Sequence, residues 1–169
     1  MSRLQEAFAR LRAHRQPGLV TYVTAGDPNL DRTVGVLAAL DRGGADVLEV
    51  GVPFSDPLAD GPVIQRATER ALASGTTLAR VLDLIGAVRP GIHAPIVLFS
   101  YANPILRVGA ERFADRARDA GVDGGLMLDL PIEEADDFRA MIAARGIDTI
   151  LLLSPTTTDA RLRRAAALG

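Results

Sequence analysis

Short apolar runs alternate along the chain with longer stretches of helical periodicity, and a three-residue turn, Gly-X-Asp, recurs between them. The runs are residues 19–25, 47–52, 96–101, 126–130 and 149–153. Residues 30–42, 63–74, 78–89, 110–120, 133–145 and 159–168 carry apolar residues at helical spacing. Near-continuous apolar strands separated by helices predict an α/β fold with a parallel sheet covered by helices. Gly44-Ala45-Asp46, Gly121-Val122-Asp123 and Gly146-Ile147-Asp148 each close a helix and open a strand. Glycine suits the left-handed position just past a helix end. The recurrence means one supersecondary unit repeated, as in a (β/α) barrel or a doubly wound sheet.

The strands start at 19, 47, 96, 126 and 149, so one interval of 49 residues stands against others of 23 to 30. The surplus holds Gly51-Val52-Pro53-Phe54-Ser55-Asp56-Pro57-Leu58-Ala59-Asp60-Gly61-Pro62 and an extra helix. Barrel enzymes build their sites from long loops at the carboxyl ends of strands, which makes this segment the place to look for chemistry.

Composition narrows the classes. A formal net charge of −2 gives no reason to expect nucleic acid or an anionic membrane as partner. The apolar content of 48% is ordinary for a globular chain, and no apolar run approaches the eighteen residues of a membrane span. The start, residues 1–18, is amphipathic and Arg-bearing without the apolar core of a signal peptide, and Glu6 disfavours a transit peptide; the expectation is a cytoplasmic protein. There is no Cys, and all 19 basic residues are Arg. Thiolate chemistry and cysteine metal sites are therefore excluded, and so is a Schiff base, because Arg cannot supply a neutral amine.

Along residues 47–52, Leu48, Val50 and Val52 share one face and Val47, Glu49 and Gly51 the other. The apolar face suits helices; Glu49 then points to the opposite side, the lumen of a barrel. Desolvation there would raise its pKa and make it a general acid/base. An edge-strand or salt-bridged Glu is the alternative. Asp56 and Asp60 lie in a Pro/Gly-rich loop, where Asp commonly caps a turn or the next helix. A magnesium site from Glu49, Asp56 and Asp60 is conceivable, but no metal spacing supports it. His14 and His93 read as surface residues. Tyr22 and Tyr101 sit late on strands and either line a pocket for a flat apolar ligand or fill core.

The run from Leu48 to Pro62 with Ile64-Gln65 closely resembles the signature of the tryptophan synthase alpha subunit. Tyr22-Val23-Thr24-Ala25-Gly26-Asp27-Pro28, Tyr101-Ala102-Asn103-Pro104, Asp129-Leu130-Pro131 and Ser154-Pro155-Thr156-Thr157-Thr158 resemble other segments of that family in order. The resemblance implies a (β/α)8 TIM-barrel lyase that cleaves indole-3-glycerol phosphate to indole and glyceraldehyde 3-phosphate in tryptophan biosynthesis. It implies Glu49 as the acid/base and Asp60 as the partner of the indole N–H. It further implies Tyr22, Phe99, Tyr101 and Leu126 as indole-pocket residues, although many members carry Phe at the position of Tyr22. Pro53 and Asp56 match the loop that meets a beta subunit in an alpha2beta2 assembly. No cofactor is implied on this subunit, the pyridoxal phosphate being on the beta subunit.

About five βα units are legible in residues 1–169, read as a single domain, where the family's barrel has eight. The expectation is an incomplete barrel with two unpaired strand edges and without the late loops that hold phosphate in this architecture. Such a chain alone is expected to be marginal, aggregation-prone or partner-dependent, and nearly inactive. A non-catalytic module that binds the beta subunit, or a stand-alone indole-producing lyase, are the alternatives.

Overall fold

The computed structural model describes residues 1–168. Its strands are β1 (Val20–Thr24), β2 (Val47–Gly51), β3 (Ile96–Ser100), β4 (Gly124–Met127) and β5 (Asp148–Ile150). The helices are α1 (Arg3–His14), α2 (Leu30–Arg42), α3 (Pro62–Ala73), α4 (Leu78–Val88), α5 (Ala102–Val108), α6 (Ala110–Ala120), α7 (Asp136–Ala143) and α8 (Asp159–Leu168). All four strand pairings are parallel, in the order β1-β2-β3-β4-β5. A doubly wound sheet reverses its strand order at a switch point; this one never does, so the arrangement is that of a barrel wall. Among the described residues β1 and β5 each have one neighbour, which leaves the two open edges expected from the sequence.

The alternation of β2 sorts two apolar layers. Leu48, Val50 and Val52 join Ile96 and Leu98 in a core shared with Leu37 of α2, Val81 and Ile85 of α4, and Ala114 and Ala117 of α6. On the other face Val47, Val97 and Leu126 form a smaller cluster with Leu4. Leu4 comes from α1, which a Ser2–Gln5 capping box starts and which buries Leu4, Ala7 and Leu11. A Cβ on Gly124 would stand 2.7 Å from the Leu4 Cδ1, so the bare backbone of β4 admits this contact. The amphipathic start of the chain is thus part of the folded wall.

The Gly-X-Asp turns do more than reverse the chain. Gly44, Gly121 and Gly146 have φ of 93°, 79° and 75°, the left-handed region that glycine enters without a Cβ penalty. The Asp46 N–H donates to the Leu19 carbonyl at 2.8 Å, and the Asp46 Oδ2 accepts the Leu19 N–H at 2.9 Å. Asp123 repeats this with Ile96, at 2.9 and 2.8 Å. Each Asp therefore pins the start of the preceding strand, and an Arg stands on each: Arg10 on Asp46 and Arg89 on Asp123. Asp148 takes the hydroxyl of Ser2 instead. Asp46→Ala is expected to cost about 1 kcal/mol, the net worth of such a bond with the Leu19 N–H left to water. Urea denaturation measures it; an unchanged midpoint would mean the pin contributes nothing.

Three features differ from the sequence expectation. Residues 102–108 form α5, which is not among the helical stretches read from the sequence; Pro104 falls in the first turn, whose N–H groups lack helical partners in any case. The fourth strand is Gly124–Met127 rather than 126–130, its two glycines giving no apolar signal. The fifth ends at Ile150, and Leu152 and Leu153 beyond it are exposed. Among the described residues its one partner is β4, which ends at Met127 and leaves those leucines without a ladder to join.

Candidate active site

Glu49 lies mid-way along β2, half-buried, on the same face as Val47 and opposite in register to Tyr22 of β1 and Val97 of β3. Its carboxylate makes no hydrogen bond or ion pair among the described residues. Burial alone raises its pKa above the usual carboxylate value. The salt-bridged reading of this residue is thereby removed. A concave space of about 1230 Å³ opens beside it, lined by Leu4, Val20, Val47, Glu49, Val97 and Ile150 among others. Of the candidate residues only Glu49 lines this space, which also takes in the strand starts at Val20, Val47 and Asp148; the others stand nearer the carboxyl ends of the strands.

A carboxyl whose pKa is raised on folding binds its proton more tightly in the folded state. It favours folding at low pH, and that contribution is lost as pH rises through the folded pKa. Glu49→Gln carries no charge to desolvate. The variant is expected to melt at a higher temperature than the parent at neutral pH, with the advantage shrinking as the pH is lowered. Thermal melts across that range test this, and equal Tm values at neutral pH would contradict it.

Next along the same face, Gly51 pairs with Thr24 of β1 and Phe99 of β3. A Cβ at Gly51 would lie 2.2 Å from the Tyr22 hydroxyl oxygen, so the aromatic ring occupies the place of the missing side chain. Tyr22 meets Phe99 edge-on with ring centroids 5.1 Å apart, and Thr24 donates a 3.4 Å hydrogen bond to its hydroxyl. Burial raises the pKa of this phenol; the Thr24 bond opposes the shift, and the neighbouring Asp60, Tyr101 and Glu49 add to it. Leu126, buried, is the register neighbour of Phe99 on β4.

Asp60 sits just ahead of α3 in the loop after β2. It does not cap the helix: the cap position is Gly61, without a side-chain bond, and Pro62 opens the first turn. The Asp60 carbonyl instead accepts from Gln65 Nε2 at 2.8 Å, and its Oδ2 accepts from the Tyr101 hydroxyl at 3.2 Å. Tyr101, one residue beyond β3, also accepts the Ala59 N–H at 3.0 Å. Helix α3 is tied to the loop after β1 by Arg70, which grips Asp27 through two bonds of 2.7 and 2.8 Å and holds that carboxyl below its usual pKa. Asp56 is exposed and bonded to the Ser55 hydroxyl, whereas Pro53 is buried at the root of the loop. Glu49, Asp56 and Asp60 do not gather into a group able to hold a metal. His14 is exposed; His93 is exposed too, but stands 3.2 Å from Asp41.

A half-buried, unpaired carboxylate on the inner face, an aromatic wall beside it, and a second carboxylate held by a tyrosine make a recognisable arrangement. The sequence model of the tryptophan synthase alpha chain family matches residues 8–168. The chain belongs to this family.

The tryptophan synthase alpha chain of Burkholderia thailandensis is 57% identical over 170 residues, which is all of this chain and 62% of that relative. The crystal structure of the tryptophan synthase alpha subunit from Legionella pneumophila superimposes with a TM-score of 0.94 at 44% identity, covering 97% of this chain and 63% of that one. A chain of the tryptophan synthase a2b2 complex from Pyrococcus furiosus does so with a TM-score of 0.86 at 41% identity, covering 89% and 62%. The chain thus spans a little over three-fifths of its alpha-chain relatives, and its strands are five consecutive staves of their TIM barrel. Among the described residues no single helix is long and apolar enough to cross a membrane.

Sequence reading missed Gly51, Ala59 and Gln65 as parts of the site. All three lie within the signature segment, but nothing in their residue types signals a contact that only the folded loop creates.

Proposed function

We propose that this chain carries the acid/base half of an indole-3-glycerol phosphate lyase site, within the alpha subunit of a tryptophan synthase. The observation that supports the reading most is Glu49: a carboxylate without a partner, raised in pKa by burial, on the inner face of the wall. Cleavage needs one proton delivered to indole C3 and one removed from the hydroxyl on the adjoining side-chain carbon. Protonation of C3 leaves the ring cationic at nitrogen. Loss of the hydroxyl proton then breaks the carbon–carbon bond, its electron pair restoring the indole ring while the hydroxyl carbon becomes the aldehyde of glyceraldehyde 3-phosphate. One carboxyl poised between the two positions can give the first proton and take the second, a role for which a raised pKa is suited. Asp60 is the group to accept the indole N–H and stabilise the developing positive charge. Tyr22, Phe99, Tyr101 and Leu126 supply flat apolar walls.

On this reading the exposed stretch at Asp56 and Leu58, with Pro53 at its root, faces a beta subunit that holds pyridoxal phosphate and consumes the indole. Leu58, 95% exposed, is an apolar group that such a partner would cover. A cytoplasmic setting belongs to the same proposal. The test is a chimera in which residues 1–169 replace the matching stretch of the Burkholderia thailandensis chain. Release of indole from indole-3-glycerol phosphate is expected. A folded chimera that releases none would leave only the partner-binding reading.

A further inference from the structure

We infer that Tyr101 is a positioning residue for Asp60, its single hydroxyl fixing both the loop that carries this carboxylate and the carboxylate itself. The inference rests on the lyase reading and deepens it, since that reading alone makes Tyr101 only a wall of the indole pocket. Tyr101 is 5% exposed and anchored at the end of β3, a strand paired on both sides. Three residues of the loop after β2 converge on it. The Phe54 ring packs at 5.2 Å between centroids, the Ala59 N–H donates to its oxygen, and the Asp60 Oδ2 accepts its proton.

The direction of these bonds follows from the groups. A backbone N–H can only donate, so the phenol oxygen must accept from Ala59, and its one proton is left for the carboxylate. Accepting a bond also makes the hydroxyl a better donor. Burial raises the pKa of Tyr101; the Ala59 bond opposes that and Asp60 adds to it, so the proton stays on the oxygen. Gln65 holds the Asp60 carbonyl on the helix side. Asp60 therefore has its main chain and its carboxylate restrained from two rigid elements, β3 and α3. A group meant to meet an N–H in a transition state gains from being held before the reaction begins.

Tyr22 and Tyr101 are the only tyrosines, and there is no Trp. In the Tyr22→Phe chain, tyrosine fluorescence therefore reports Tyr101 alone. A phenol bonded to a carboxylate is quenched, so emission at neutral pH is expected to rise in Asp60→Asn. The other nearby carboxylate, Asp129, accepts the Ala102 N–H, and Asp129→Asn should leave the emission as it is. Unchanged emission in Asp60→Asn overturns the inference.

The second arm uses the chimera described above. Tyr101→Phe keeps the aromatic wall and removes both bonds; kcat is expected to drop about tenfold with KM little changed, as for loss of one bond to a charged group. A parental rate in Tyr101→Phe overturns the inference as well. A chimera that is silent with Tyr101 intact defeats the lyase reading instead, and the fluorescence still decides whether Tyr101 holds Asp60.

Discussion

Glu49→Gln is expected to lower kcat for indole release by about three orders of magnitude in the chimeric subunit, within the span that a positioned acid/base contributes. The size follows from the site's economy of groups. Lys and Cys are absent from the chain, and Glu49 is the carboxylate on the inner face with no other engagement; Asp60 is bonded to Tyr101. Gln matches Glu in length and shape, so the β2 register, the Val47–Val97–Leu126 cluster and the pocket walls should survive. KM should accordingly move much less than kcat, the signature of a group acting only in the transition state. Steady-state assays with purified parent and variant decide it. A variant retaining a tenth or more of the parental kcat would assign the proton shuttle to another residue.

The parts of this architecture that follow from local rules were readable in the sequence. Alternation along residues 47–52 placed Glu49 opposite Leu48 and Val50, and the packing of those two on the helices is what the wall shows. The Gly-X-Asp recurrence foretold three like turns, since only a residue without Cβ enters them freely. The choice between a barrel and a doubly wound sheet was not local. Both use the same unit, and only the strand order, set by which strand lies beside which, separates them. The site divides in the same way. Periodicity could place Glu49, whereas for Asp60 residue types alone favoured a cap and only the family resemblance implied a role; its bond from Tyr101, across 41 positions of chain, exists only in the folded loop. A separation of 42 positions hid the second partner of that tyrosine, the Ala59 N–H. Residue types announce what a group can do; which partner it meets depends on the turn of a ten-residue loop that has no periodicity.

Gly51→Ala should lower stability by about 2 kcal/mol, as overpacking of a filled interior does. The added Cβ would lie 2.2, 2.6 and 2.8 Å from Oη, Cζ and Cε2 of Tyr22. Three atoms of a rigid ring are involved, so rotating the hydroxyl cannot relieve the overlap. The ring must swing away from Gly51, and that breaks its edge-on contact with Phe99 and its bond from Thr24. Tyr22→Phe removes only the nearest of the three atoms and should rescue little. Tyr22→Val, which removes the ring, should absorb most of the penalty, giving a coupling on the order of 1 kcal/mol or more in a double-mutant cycle. Additive losses in urea denaturation would mean that the ring and the glycine do not share this space. The pairing matters for function because Gly51 lies two residues past Glu49 on the same face, and Tyr22 is the register partner of Glu49. The strand that presents the carboxylate thus also yields, one step on, the space for the aromatic wall beside it. Catalytic group and pocket wall are set by the alternation of a single strand, and a methyl group at Gly51 should damage both the fold and the pocket while leaving Glu49 itself untouched.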